Sequence, residues 1–281
     1  IVKCLVEQGH ADVNIKDKND RTPLHNATDK CNIDIVKCLV EQGHADIKTI
    51  SRTAIIKATE KEDIEFVKYL VEQCHADVNI KDKNGQTPLH IATDKYNIDI
   101  VKCLVEQGHA DIKTISRTAI IRATEKEDIE FVKYLIEKCH ADVNVKDINE
   151  QTPLHIATDK CNIDIVKCLF EQGHADVNIK DREGQTPLYI ATDKCNIDIV
   201  KCLVEQGHAD VKTISTTAII KATEKEDLEF IKCLVEVCHV DVNVKDFYGR
   251  TPLQIATDKC NIGIVKCLVE QGHADVKTIS T

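Results

Sequence analysis

The sequence repeats itself, and the interval of the repeat leaves few folds open to it. Equivalent threonines open successive segments at Thr22, Thr53, Thr87, Thr118, Thr152, Thr186, Thr217 and Thr251, at spacings of 31, 34, 31, 34, 34, 31 and 34 residues. Periods between about 20 and 50 residues mark solenoids and related arrays, in which one supersecondary unit cannot cover its own apolar face and must stack on its neighbours. This outweighs the length of 281 residues, which alone would suggest one or two globular domains.

Five segments open with Thr-Pro-Leu, at 22–24, 87–89, 152–154, 186–188 and 251–253, and the other three with Thr-Ala-Ile-Ile. Thr before Pro predicts a helix start, because the hydroxyl can accept an unpaired backbone N–H and Pro has none to leave unpaired. A short first helix is predicted over 87–93, followed by a cap at Asn97 and a longer second helix from Ile98 to Val105 with apolar residues at three-and-four spacing. The long linkers then run as Val-Asn-Ile-Lys-Asp-Lys-Asn-Gly-Gln at 78–86, a set of turn formers that predicts a hairpin-like finger. After the units at Thr22, Thr87, Thr186 and Thr251 a shorter Lys-Thr-Ile-Ser, as at 113–116, predicts a blunted finger. Long and short linkers alternate as a 65-residue pair, and the alternation slips by one unit at 152–185.

The pattern Thr-Pro-Leu-His-Ile-Ala at 87–92 and 152–157, with Ala-Asp-Val-Asn and Lys-Asp downstream, closely resembles the ankyrin repeat. The resemblance covers essentially the whole chain: a partial repeat at 1–21, then repeats at 22–52, 53–86, 87–117, 118–151, 152–185, 186–216, 217–250 and 251–281. It implies a single all-α array, a helix-turn-helix solenoid with β-hairpin-like fingers, several of them truncated, and a concave face lined by fingers and first helices. It also implies that His25, His90 and His155 hydrogen-bond backbone between repeats, a role open to Tyr189 and Gln254 at the same position. The finger asparagines Asn14, Asn79, Asn144, Asn178 and Asn243 match a position that is hydroxylated in some ankyrin proteins. Two departures stand out. The His before Ala-Asp is one residue beyond the usual period and predicts a widened helix exit. Cys74, Cys139 and Cys238 replace the exit Gly, which predicts a left-handed cap costing about 1 kcal/mol more than with Gly.

Composition narrows the function. With 42% hydrophobic and 30% charged residues, 4% aromatics and no Trp, the core must be built from Leu, Ile, Val, Ala and Cys. The net charge of −10, with Lys and carboxylates interleaved, argues against a nucleic-acid partner, which needs clustered cations. No apolar run approaches the roughly 18 residues of a membrane span, and no signal-peptide pattern opens the chain. Because the chain has no Met and opens with Ile1-Val2-Lys3-Cys4-Leu5, like the middle of a later helix, a longer parent chain is expected.

Cys4, Cys38, Cys103, Cys168, Cys202, Cys233 and Cys267 share one position of the second helix, where Tyr69 and Tyr134 also occur, and are read as core residues. Neighbouring helices about 8–10 Å apart exceed the disulfide Cα range of about 4.4–6.8 Å, so reduced thiols and a cytoplasmic or nuclear location are expected. Cys233, Cys238 and His239 are the nearest approach to a metal site, but their spacing follows from the repeat, and no metal or cofactor is expected.

No phosphate loop, nucleophile elbow or His-Glu-x-x-His motif is present, so neither catalysis nor a small-molecule substrate is expected. The carboxylates of 60–63 and 125–128 read as solvated caps between helices. Variation gathers instead at the finger tips: Lys18-Asn19, Lys83-Asn84, Ile148-Asn149, Arg182-Glu183 and Phe247-Tyr248. The expected function is a scaffold that binds a protein partner through these residues, with Phe247 and Tyr248 foremost. The alternatives are a passive spacer or elastic anchor within a longer array, or the targeting region of an enzyme or membrane protein whose other domain lies elsewhere.

Overall fold

The computed structural model describes residues 12–50 and 52–277, without the side chain of Thr49. Residues 1–11, with Cys4 and most of the partial first repeat, and 278–281 at the end of the last repeat lie outside the described residues. The chain divides into two compact units, Ile1–Ala119 and Ile120–Thr281.

Local chemistry sets each repeat. First helices begin on Thr-Pro at Pro23–Asp29, Pro88–Asp94, Pro153–Asp159, Pro187–Asp193 and Pro252–Asp258. The Thr22 and Thr87 hydroxyls accept the N–H of His25 and His90 at 3.2 and 3.3 Å, as their sequence requires. In the Thr-Ala-Ile-Ile repeats the helix starts at Ala54 or Ala218. Thr53, already turned at φ −93° and ψ 1°, does not cap it with its side chain. Second helices are capped by Asn97, whose Oδ1 accepts the Ile100 N–H at 3.1 Å, and likewise by Asn32, Asn162, Asn196 and Asn261. Asp63, Asp128 and Asp227 cap in the remaining repeats, so these members of the carboxylate runs have a defined structural task.

The helix exit is widened, as the extra residue predicts. In four repeats the second helix passes from α into π, for example Ile98–Lys102 into Cys103–Gln107. The Gly108 N–H donates to Cys103 O at 3.1 Å and the Ala110 N–H to Leu104 O at 2.9 Å, spans one residue longer than an ordinary helix closure. The left-handed residue is the inserted His: His44, His75, His109, His140, His174, His208, His239 and His273 all have φ between 48° and 55°. Gly108, at φ −86°, is helical. This corrects the expectation for Cys74, Cys139 and Cys238, which carry no left-handed penalty because that conformation falls on the next residue.

The linker ahead of each exit distinguishes Gly from Cys. A Cβ on Gly108 would lie 2.8 Å from Val78 Cγ1 of the preceding finger, and one on Gly272 would lie 2.9 Å from Val242 Cγ1. Where the preceding linker is short, buried Cys74 and Cys238 stand at the exit instead. The short linkers are single 3-10 turns, Ile47–Thr49, Ile112–Thr114 and Val211–Thr213, each closed by an aspartate whose carboxylate accepts the N–H two residues on at 3.0 Å. No finger forms there, in line with the expected blunting.

Within each unit first helices pack on first helices and second on second. Leu24, Ile55, Phe66, Leu70, Leu89, Ile100 and Leu104 fill the first core, and Phe131, Leu135, Leu154 and Phe230 the second, all essentially inaccessible. Each such side chain contributes about 1.5–3 kcal/mol by leaving water. The cysteine column lines the same cores: Cys103, Cys168 and Cys202 are buried, and burial pushes their thiols up to about 11.

Candidate functional site

Each full finger is one turn organised by an aspartate. The Asp82 N–H donates to Gln86 O at 2.9 Å and the Gly85 N–H to Asp82 O at 3.2 Å. The Asp82 carboxylate accepts the N–H groups of Asn84 and Gln86, both at 2.8 Å. The same set recurs at Asp17, Asp147, Asp181 and Asp246. At Asp17 the Arg21 and Asn19 N–H groups hold the carboxyl below the usual carboxylate range. The two residues after each aspartate therefore stand at the crest of a fixed turn with exposed side chains. These are the ten predicted residues: Lys18, Asn19, Lys83, Asn84, Ile148, Asn149, Arg182, Glu183, Phe247 and Tyr248. The residue after the crest is left-handed, Gly85, Gly184 and Gly249 in three fingers and Asp20 and Glu150 in two.

Two of the five crests touch. The Arg182 N–H donates to Asn149 O at 3.0 Å, and the Arg182 guanidinium donates to Ile148 O. Asn149, Gln151, Asp181, Arg182, Glu183 and Gln185 line a polar cleft of about 260 Å³ between these fingers. They belong to the consecutive long linkers at the slip in the alternation. Elsewhere a truncated linker intervenes between successive fingers, so Lys18-Asn19 and Lys83-Asn84 are separated by Ile47–Thr49 along the first unit.

The last crest is aromatic. Phe247 is 98% exposed and Tyr248 79%, with ring centroids 5.8 Å apart at 86°. The Arg250 guanidinium lies 5.4 Å from the Tyr248 ring centre and bonds the Asp246 carboxylate at 2.8 Å, which fixes the base of the turn.

Sequence reasoning missed the pin that holds each finger. The Asn79 Oδ1 accepts the backbone N–H of Asp111 in the following linker at 2.8 Å, and Asn14, Asn144, Asn178 and Asn243 do the same to Asp46, Asp176, Asp210 and Asp275. The signal was present, since every finger Asn has an Asp 32 residues on whether the next linker is long or short.

A family model described as ankyrin repeats in three copies matches residues 1–82, 55–147, 120–215 and 208–279. The chain belongs to the ankyrin-repeat family. No curated protein matches it as a relative.

The ankyrin histidine keeps its inter-repeat role at one position. Buried His155 faces the Thr152 hydroxyl through Nδ1 at 2.8 Å and Gln185 O through Nε2 at 3.1 Å. Gln185 is the last residue of a full finger. His90 precedes a short linker, and its ring lies 3.7 Å from the Asp94 carboxylate on its own helix, which corrects the expectation for this residue. Gln254 caps its own helix, accepting the Thr251 N–H at 2.9 Å. Among the described residues of this ankyrin chain no helix is long and apolar enough to cross a membrane, and no group of three or more His, Cys, Asp or Glu is placed to hold a metal ion.

Proposed function

We propose that this chain is a non-catalytic scaffold that binds a protein partner through its finger crests. Ankyrin repeats are generally protein–protein interaction modules. The observation that carries the reading here is the pair Phe247 and Tyr248, 98% and 79% exposed on a turn fixed by Asp246. Adjacent aromatic rings held open to water are an anchor for a partner, in a chain with only 4% aromatic residues to place. The joined crests Ile148-Asn149 and Arg182-Glu183 add a second patch that combines an apolar side chain, a guanidinium and a carboxylate. Lys18, Asn19, Lys83 and Asn84 give the first unit polar and cationic crests. The free thiols among the described residues fit a reducing compartment, cytoplasmic or nuclear.

The test is affinity capture from native extract with the parent chain and a variant carrying Arg182→Ala, Glu183→Ala, Phe247→Ala and Tyr248→Ala, after both show equal helical melting. Each captured protein is then purified and its affinity for both chains measured directly. The reading requires at least one partner whose affinity falls tenfold or more in the variant. Partners bound equally by both chains would move the site away from these crests, and no specific partner at all would favour the spacer.

A further inference from the structure

A finger Asn pins the exit aspartate of the next repeat at Asp46, Asp111, Asp176, Asp210 and Asp275, but not at Asp77 or Asp241. Ahead of these two the linker is short. Lys48 and Lys212 stand where a full finger has its Asn, held in the same turn by the carboxylates of Asp46 and Asp210, each accepting the lysine N–H at 3.0 Å. An ammonium donates hydrogen bonds and cannot accept one. No acceptor among the described residues meets the Asp77 or the Asp241 N–H. Each of these aspartates lines an open groove, of about 310 Å³ at Asp77 and about 340 Å³ at Asp241. Ile47, Ile50, Ile55 and Ile80 give the first groove an apolar floor, and Val211, Ile214, Ile219 and Val244 take the same places in the second.

Charge separates the two grooves. Lys48, Arg52 and His75 line the first, and Lys48 and Arg52 are exposed with no ion pair among the described residues. Its one carboxylate, Asp77, already accepts the Asn79 N–H at 2.9 Å. In the second groove Thr216 replaces Arg52, leaving Lys212 and His239 beside Asp241. In a chain of net charge −10, a cationic rim over an isoleucine floor selects an acidic occupant. We propose that the Asp77 groove binds an acidic segment of a partner protein, in which an apolar side chain seats on the isoleucines and an adjacent carboxylate takes the Asp77 N–H beside Lys48 and Arg52. The carboxylate supplies in trans the acceptor that a finger Asn supplies at the pinned joints, and its charge makes the bond stronger than a neutral one. None of the residues lining the groove is a crest residue, so this surface is separate from the crests.

The probe is the peptide acetyl-Glu-Glu-Val-Asp-Ile-Glu-amide, titrated into the full chain labelled with heavy nitrogen at aspartate and followed by amide chemical shift. The Asp77 amide is expected to shift and saturate, with weaker binding at Asp241, while the pinned Asp111 and Asp176 amides stay in place. Lys48→Glu combined with Arg52→Glu should weaken the Asp77 site tenfold or more and leave Asp241 unchanged, which also shows that the variant is folded. The variant with Ala at Arg182, Glu183, Phe247 and Tyr248 should bind the peptide as the parent does, so failure here and failure of the crests are told apart. The proposal is overturned if the Asp77 amide does not saturate below about 1 mM peptide, if Asp111 shifts equally, or if the charge-reversed variant binds as tightly as the parent. A shift of the Asp77 amide with chain concentration alone would seat a second copy in the groove and overturn it too.

Discussion

A Cβ placed on Gly173 would lie 2.6 Å from Cγ1 of Val143, so the finger valine of one repeat occupies the space of the next exit's missing side chain. The relation runs through the sequence. Gly43, Gly108, Gly173, Gly207 and Gly272 each follow a long linker carrying Val13, Val78, Val143, Val177 or Val242, and Cys74, Cys139 and Cys238 each follow a short one. Gly173→Ala should therefore overpack the exit and destabilise the chain by about 1–3 kcal/mol. Combined with Val143→Ala, it should cost less than the sum of the single variants by about 0.5–3 kcal/mol in thermal unfolding. Simple additivity would show that the valine is not what excludes a side chain.

Asn144→Ala removes the acceptor for the Asp176 N–H, a bond of 2.9 Å between repeats. The expected cost is about 1 kcal/mol, read together with faster hydrogen exchange at the Asp176 amide. Unchanged exchange at that amide would mean that the pin is redundant.

Glu150 holds φ at 59° where the equivalent Gly85, Gly184 and Gly249 have nothing within 4 Å of a built Cβ. The position thus demands a backbone conformation and no side chain. Glu150→Gly should stabilise by roughly 0.5–1 kcal/mol, visible as a higher melting temperature. A lower one would show that the exposed Lys146–Glu150 pair outweighs the backbone strain.

Burial lowers the pKa of His155 below its ordinary 6.5, so the folded state favours the neutral ring. Its contribution is complete above about pH 6.5 and is lost as pH falls below that value, because the unfolded chain then binds the proton first. His155→Gln, which places there the residue that caps the helix at Gln254, should lose less stability than the parent between pH 7 and about pH 5. Parallel pH profiles for the two chains would contradict the assignment.

The helix pairs and their caps were legible because each rests on contacts three or four residues apart, as Thr87 to His90 and Asn97 to Ile100 show. The crests were legible as turns, since Asp, Asn and Gly declare them locally. The left-handed residue was misplaced on Gly and Cys because glycine is the usual tenant of that conformation, whereas here the inserted His takes it. What crowds the Gly at the exit, beside its own helix's carbonyl, is a valine 30 residues earlier, and what joins two of the crests is a bond from Arg182 to Asn149. Such distant partners leave no local pattern. They show only when linker length is compared with the following exit, repeat by repeat.

Because a Gly exit requires a finger ahead of it and a Cys exit a short linker, these repeats are not interchangeable bricks. Deleting 53–86 alone would put the Gly108 exit behind a short linker and leave a void, whereas deleting a 65-residue pair leaves every joint matched. The unit at 152–185, with a Gly exit and a long linker, fits after any full finger, itself included. Recombination among such near-identical copies can therefore lengthen or shorten the array without clash or void only in pairs or in copies of that one unit.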